Sequence, residues 1–265
     1  MMKNSILLLV FNYSNCLNNK QKICDLYKDH FKKIIVYSDT PQNTDEQLHE
    51  DVNYVDIKRG IFVHRIFKHF YDNYKNDISE CDGLFYTMDD MIINTNILHL
   101  YNTEKIIYFY QKIEKINEHS PKWHPWPSSS QALTKLPLEK HGIIGAASKP
   151  SDLNIDDSII SGGGWADFFY LPKKYLTKKL FDLFHLFSDV FLEISIPTTI
   201  AHIEKNKDYY SDFDFLFYGN KNRKKLESEV FIKKVLKNNA LFIHPIKFGQ
   251  NPELLDLLKD LLLKK

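Results

Sequence analysis

Short apolar runs alternate with longer stretches of helical period over the first 110 residues. Ile6 to Phe11 is an apolar run of six, too short for a membrane span and followed by no small-residue cleavage site, so it predicts a first β-strand. Asn18 to Phe31 has a helical pattern. Ile34 to Tyr37 predicts a second strand ending in Ser38-Asp39, and a polar loop, Thr40 to Glu50, leads to a third at Val52 to Ile57. From Gly60 the spacing predicts a helix whose apolar stripe is Ile61, Ile66, Phe67, Phe70, Tyr71 and Tyr74. A fourth strand follows in Gly83-Leu84-Phe85-Tyr86-Thr87-Met88. The βαβαβ order predicts an α/β fold with a mostly parallel sheet, whose ligands bind at the carboxyl ends of the strands. Asp39 and the pair Asp89-Asp90 fall at such ends.

Composition narrows the class. A chain of 265 residues with 14% aromatic content, including 15 Tyr and 19 Phe, has ample material for a packed core and none of the signature of disorder. The formal charge of +1 gives no electrostatic case for nucleic-acid binding. Three cysteines (Cys16, Cys24, Cys81) show no metal spacing and read as reduced thiols, which with the lack of a signal peptide points to the cytoplasm. No linker divides the chain, so one domain over 1–265 is expected.

Four stretches carry candidate chemistry. In the first, Asp89 and Asp90 end an apolar strand and apolar character resumes at Met91-Ile92-Ile93. Two buried adjacent carboxylates need a partner, and a hard divalent cation, Mg²⁺ or Mn²⁺, is the commonest solution. Such an ion binds phosphates, so the pair suggests a nucleotide-diphosphate site; the alternative is a surface turn. In the second stretch, Ser161-Gly162-Gly163-Gly164-Trp165-Ala166-Asp167, the glycines allow close backbone approach to a ligand. Trp165 offers a flat face to a sugar, and Asp167 an acceptor for its hydroxyls. The alternative is a loop that turns the chain toward a helix at Lys173 to Phe187, with Asp167 as its cap.

The third stretch sets Glu193 between Val190-Phe191-Leu192 and Ile194-Ser195-Ile196, a setting that suits a general base, with Asp189 four residues earlier. Asp189 as a helix cap and Glu193 as a buried ion-pair partner are the competing readings. In the fourth, the strand Leu241-Phe242-Ile243 ends in His244, with Lys247 three residues on. A neutral imidazole can complete a Mn²⁺ shell, and a lysine can hold a phosphate. Between them, the Pro- and Ser-rich segment Glu118 to Leu136 carries Trp123 and Trp126, either as core plugs or as a lid or sugar platform.

In this order the four stretches resemble the glycosyltransferases of the GT-A fold. Met88-Asp89-Asp90-Met91 is similar to the DxD-type motif of that superfamily, the Ser-Gly-Gly-Gly-Trp run to its donor- and acceptor-shaping segment, and His244 to its C-terminal metal-binding histidine. The resemblance implies a single GT-A-like domain with a mostly parallel Rossmann-like central sheet and flanking helices. Residues 1–110 would form its nucleotide-binding half and 111–265 its acceptor-binding half. It implies Mn²⁺ or Mg²⁺ held by Asp90, Asp89 and His244. Phe11, Asn12, Tyr13 and Asp39 would hold the nucleotide, Arg65 and Lys247 the diphosphate, and Gly163, Trp165 and Asp167 the sugar. Inverting members carry their base where Glu193 and Asp189 fall.

The expected activity is therefore metal-dependent transfer of a sugar from a nucleoside diphosphate, UDP foremost, to a hydroxyl of a glycan or glycoconjugate, with inversion. A sugar-phosphate nucleotidyltransferase and a non-catalytic nucleotide- or carbohydrate-binding domain are the alternatives. The leucine-rich tail, Pro252 to Lys265, predicts an amphipathic helix, packed on the domain or attached peripherally to a membrane.

Overall fold

The computed structural model describes residues 2–12, 14–41, 48–108, 114–115, 162–163, 166–187, 192–217, 239–246 and 253–263. The first half runs β1 (Ile6–Phe11), α1 (Lys20–Tyr27), β2 (Lys33–Asp39), β3 (Val52–Val55), α2 (Ile66–Asn73), α3 (Lys75–Glu80), β4 (Gly83–Met88) and β5 (Ile92–Ile93). Then come β6 (Glu114–Lys115), β7 (Gly162–Gly163), β8 (Phe168–Pro172), α4 (Lys178–Leu186), α5 (Leu192–Ile203), β9 (Asp214–Phe217), β10 (Ala240–His244) and α6 (Glu253–Leu263). The fold is mixed α/β.

Its frame is a five-stranded sheet in the order β3-β2-β1-β4-β8, parallel except for β8, which runs antiparallel to β4. Central β1 is buried at all six positions, as a strand covered on both faces must be. Its odd residues, Leu7, Leu9 and Phe11, join one core cluster; its even residues, Ile6, Leu8 and Val10, join the other. The first cluster is closed by α1, α6 and a small sheet ordered β5-β10-β9. The second is closed by α2, α4 and α5. Stacked rings, Phe67 on Phe184 at 4.1 Å and Phe168 on Phe242 at 3.8 Å, tie the layers together.

Several element boundaries differ from the sequence expectation. The helix expected from Gly60 begins only at Ile66: Gly60 takes a φ of 86°, which no right-handed helix accepts, and Val63–Arg65 form a 3₁₀ turn ahead of it. Ile66, Phe67 and Phe70 form its buried stripe as expected, with Ile61, Tyr71 and Tyr74 partly buried beside it. The first helix is shorter than its pattern, since residues Ser14–Asn19 form a 3₁₀ segment. The stretch Phe168–Pro172, expected to belong to the glycine-rich ligand segment or to a loop leading into a helix, is a fully buried strand.

The C-terminal helix packs against α1, and Leu254, Leu255, Leu258 and Leu262 lie in the core. These four leucines are thus covered by the domain. Among the described residues no helix is long and apolar enough to cross one. Cys24 is half-buried, with burial raising its thiol pKa to about 11, and Cys81 is buried; both are free thiols. Trp123, Trp126, Tyr13, Trp165, Asp189 and Lys247 lie outside the described residues.

Candidate functional site

The parallel strands β2, β1 and β4 all end at one edge of the sheet, and each delivers a polar side chain there. β2 ends in Asp39, β1 is followed by Asn12, and β4 is followed by Asp89 and Asp90. The chain reverses at once after β4: the Met91 N–H donates to the Met88 carbonyl at 3.2 Å, and β5 then pairs antiparallel with β10. That pairing carries His244 to the acid pair. The Ile246 N–H donates to the Asp90 carbonyl at 2.6 Å, and Asn94 fastens the other end of the ladder through the Leu241 carbonyl at 2.8 Å.

Two residues separated by 154 positions thereby meet. His244 Nε2 lies 3.4 Å from Asp90 Oδ1 and 3.9 Å from Asp167 Oδ1, with the side chains of His244 and Asp90 only 11% and 12% exposed. Asp167 arrives from the other side, because β8 continues the sheet beyond β4 and the Met88 N–H donates to the Asp167 carbonyl at 3.2 Å. Asp89 turns back toward β1, its Oδ1 3.4 Å from the Asn12 N–H. The result is a pair of carboxylates, Asp90 buried and Asp167 partly buried, that share one imidazole, with Asp89 beside them in the chain.

Two tyrosines border the cluster. Tyr86 and Tyr108 are both fully enclosed, and burial pushes both hydroxyls well above their usual pKa. The charges of Asp167, Asp90 and Asp89 add to the shift at Tyr86, and those of Glu193 and Asp167 at Tyr108. Glu193, 8% exposed in the first turn of α5, thus acts on the same buried phenol as Asp167. α5 also lies against β7, which contains Gly163.

Other candidates take different places. The Asp39 carboxylate accepts the backbone N–H groups of Thr40 and Ile57 on Oδ1 at 3.0 and 2.9 Å and that of Arg59 on Oδ2 at 2.7 Å. It thereby clamps the left-handed Lys58-Arg59-Gly60 turn to the end of β2. Gly60 in turn touches Asn12: a β-carbon on it would stand 2.3 Å from Asn12 Oδ1. Arg65 donates from Nη1 to the Asp56 carbonyl at 3.0 Å, lies 3.4 Å from the Asp56 carboxylate and sits over the Phe62 ring at 4.5 Å. These contacts hold it beside the end of β3. Phe11 is fully buried, a core residue beneath the site. Tyr86 was invisible to sequence reasoning as a site residue, because a tyrosine inside an apolar strand reads as core.

The structure resembles solved glycosyltransferases over its whole length, at a distance. One is the galactosyltransferase LgtC in complex with donor and acceptor sugar analogues, 10% identical, with a TM-score of 0.41, covering 98% of this chain and 97% of that one. Another is a glycosyltransferase involved in glycosylation of the major capsid of PBCV-1, also 10% identical, with a TM-score of 0.38 and coverage of 96% and 99%. No family model matches the chain, and no curated protein matches it.

Proposed function

We propose that the chain is a glycosyltransferase of the GT-A type, moving a sugar from a nucleoside diphosphate, UDP foremost, to a hydroxyl of a glycan or glycoconjugate. One observation carries the reading: Asp90, Asp167 and His244 come from three separate strands to one buried point at the carboxyl edge of a mostly parallel sheet.

The donor set suits a divalent ion. Ligand atoms each about 2.0–2.4 Å from a common ion stand roughly 3–3.5 Å apart, and the 3.4 Å between Asp90 and His244 lies in that range. Among the described residues no three His, Cys, Asp or Glu side chains form a ready metal site. Two protein ligands, with water and diphosphate oxygens completing the shell, is the usual arrangement for phosphate-bound Mg²⁺, and the imidazole favours Mn²⁺. Asp90 and His244 would hold such an ion, with Asp89 beside them. Bound there, it offsets the charge that grows on the leaving diphosphate.

The chain's own groups then divide the remaining work. Asn12 and Asp39, at the ends of β1 and β2, border the place of the nucleotide. Asp167 accepts hydrogen bonds from the sugar hydroxyls and sets its orientation. Glu193, or Asp189 before it, takes the proton of the acceptor hydroxyl as it attacks the anomeric carbon, and a single displacement inverts that centre. General-base assistance of this kind is worth about 10²–10⁴-fold.

The test is a screen of nucleotide sugars for hydrolysis and transfer, with Mn²⁺ and with chelator. Turnover of a UDP-sugar that stops in chelator supports the reading. Release of pyrophosphate from a nucleoside triphosphate and a sugar phosphate would replace it with nucleotidyl transfer, and inertness toward every donor would remove it.

A further inference from the structure

Tyr86 borders the site, and its chemistry is left unused above. It is completely buried, and among the described residues its hydroxyl has no hydrogen-bond partner. A buried O–H without a partner is costly, and natural cores seldom keep one where phenylalanine would fill the same space. The ring is fixed. It stacks on Phe169, its register partner across the β4–β8 ladder, at 5.0 Å and 24°, and meets Phe67 at 5.7 Å. Its hydroxyl can therefore adjust only by small tilts of the ring and rotation of the O–H.

The pleat shows what lies ahead of it. Phe169 and Asp167 are two residues apart, so if the pleat of β8 is carried past its first residue they share a face of the sheet. The Met88 to Asp167 backbone bond shows that the ladder does extend that far. Tyr86 and Asp167 thus lie on one face, two register positions apart and diagonal across the pairing. Asp167 is the foremost charged neighbour of the phenol, ahead of Asp90 and Asp89.

We propose that Tyr86 is a positioning residue whose O–H is held for the Asp167 carboxylate. It donates to Asp167 when a donor sugar settles in the site and fixes the direction in which that carboxylate meets the sugar. Functional hydrogen bonds that are open in the free protein commonly close in the substrate complex. The inference rests on the glycosyltransferase reading, since it needs a sugar at Asp167.

A double-mutant cycle on the full chain tests it, with Tyr86→Phe, Asp167→Asn and the double variant assayed for transfer and for unfolding in urea. Tyr86→Phe keeps the ring stack and removes only the partnerless hydroxyl, so its urea midpoint should match or exceed that of the wild type. Its kcat should fall about ten-fold, the size expected for one hydrogen bond to a charged group, with the donor KM held within about two-fold. Because the hydroxyl acts through Asp167, the double variant should be no slower than Asp167→Asn alone. Wild-type kcat in Tyr86→Phe, losses that multiply in the double variant, or a lowered urea midpoint accompanying the loss would each overturn the inference and leave the reading intact. A wild-type protein that neither turns over a nucleotide sugar nor binds UDP would overturn the reading and the inference together.

Discussion

Asp39 and Asp90 are the same residue type at the same edge of the same sheet, and they are buried alike, at 7% and 8% exposure. Their surroundings differ in kind. The Asp39 carboxylate is met by three backbone N–H groups, which neutralise it within the fold and hold the turn after β3 in place. Asp90 is met by an imidazole at 3.4 Å that Asp167 also approaches at 3.9 Å, an arrangement that gathers charge at one point. A buried carboxylate is thus no marker of function by itself. Its partners are: backbone donors mark Asp39 as a structural brace, whereas Asp90 shares one imidazole with a second acid, Asp167.

The comparison breaks most sharply under mutation. On the proposed function, in which Asp90 would be an ion ligand worth several kcal/mol, Asp90→Asn should lower transfer by about 10²–10³-fold while leaving stability unchanged or raised by relief of repulsion. Steady-state rates and urea unfolding measured side by side check both halves. Asp39→Ala should do the reverse in stability, costing about 3 kcal/mol through the loss of charge-assisted hydrogen bonds to the backbone. Were Asp39→Ala as stable as the wild type, the brace would not exist.

Gly60→Ala sharpens the same contrast at smaller size. A φ of 86° and a β-carbon 2.3 Å from Asn12 Oδ1 predict a loss of about 1–3 kcal/mol, read from the same unfolding curves. The smallest effect concerns His69, whose Nδ1 lies 3.1 Å from the Tyr37 hydroxyl. Burial lowers its pKa below the usual 6.5, so the unfolded chain binds the proton more readily. Stability should therefore decline as pH falls through about 6.5, and a His69→Gln variant should show a shallower decline in its melting temperature between pH 7.5 and 5.5.

Much of the frame was legible because apolar runs and strand burial coincide. Ile6 to Phe11 is the central strand as read, and the acids fall at the tip of β4, where the run into Met88 ends. The leucines of the tail supply a core face through ordinary helical spacing. The rest depended on contacts that no local pattern encodes. Phe168–Pro172 is a strand because β4 offers it an edge, although a glycine-rich run precedes it and a proline ends it. The helix expected at Gly60 fails on a backbone angle that Asp39 holds in place from β2. In the site, residue types were legible and groupings were not. Asp167 reads from sequence as a hydrogen-bond acceptor for sugar hydroxyls or a helix cap, and only the fold sets it 3.9 Å from His244. The open hydroxyl of Tyr86 has no signature in sequence at all.

The central claim is that the Asp90–His244 cluster gathers the diphosphate of a nucleotide through a divalent ion. Calorimetric titration of UDP into the protein, in Mn²⁺ and in chelator, tests it most directly. The account predicts binding in Mn²⁺ that weakens at least ten-fold in chelator and equally in Asp90→Asn. UDP binding of the same affinity in chelator, or no binding under either condition, would contradict it.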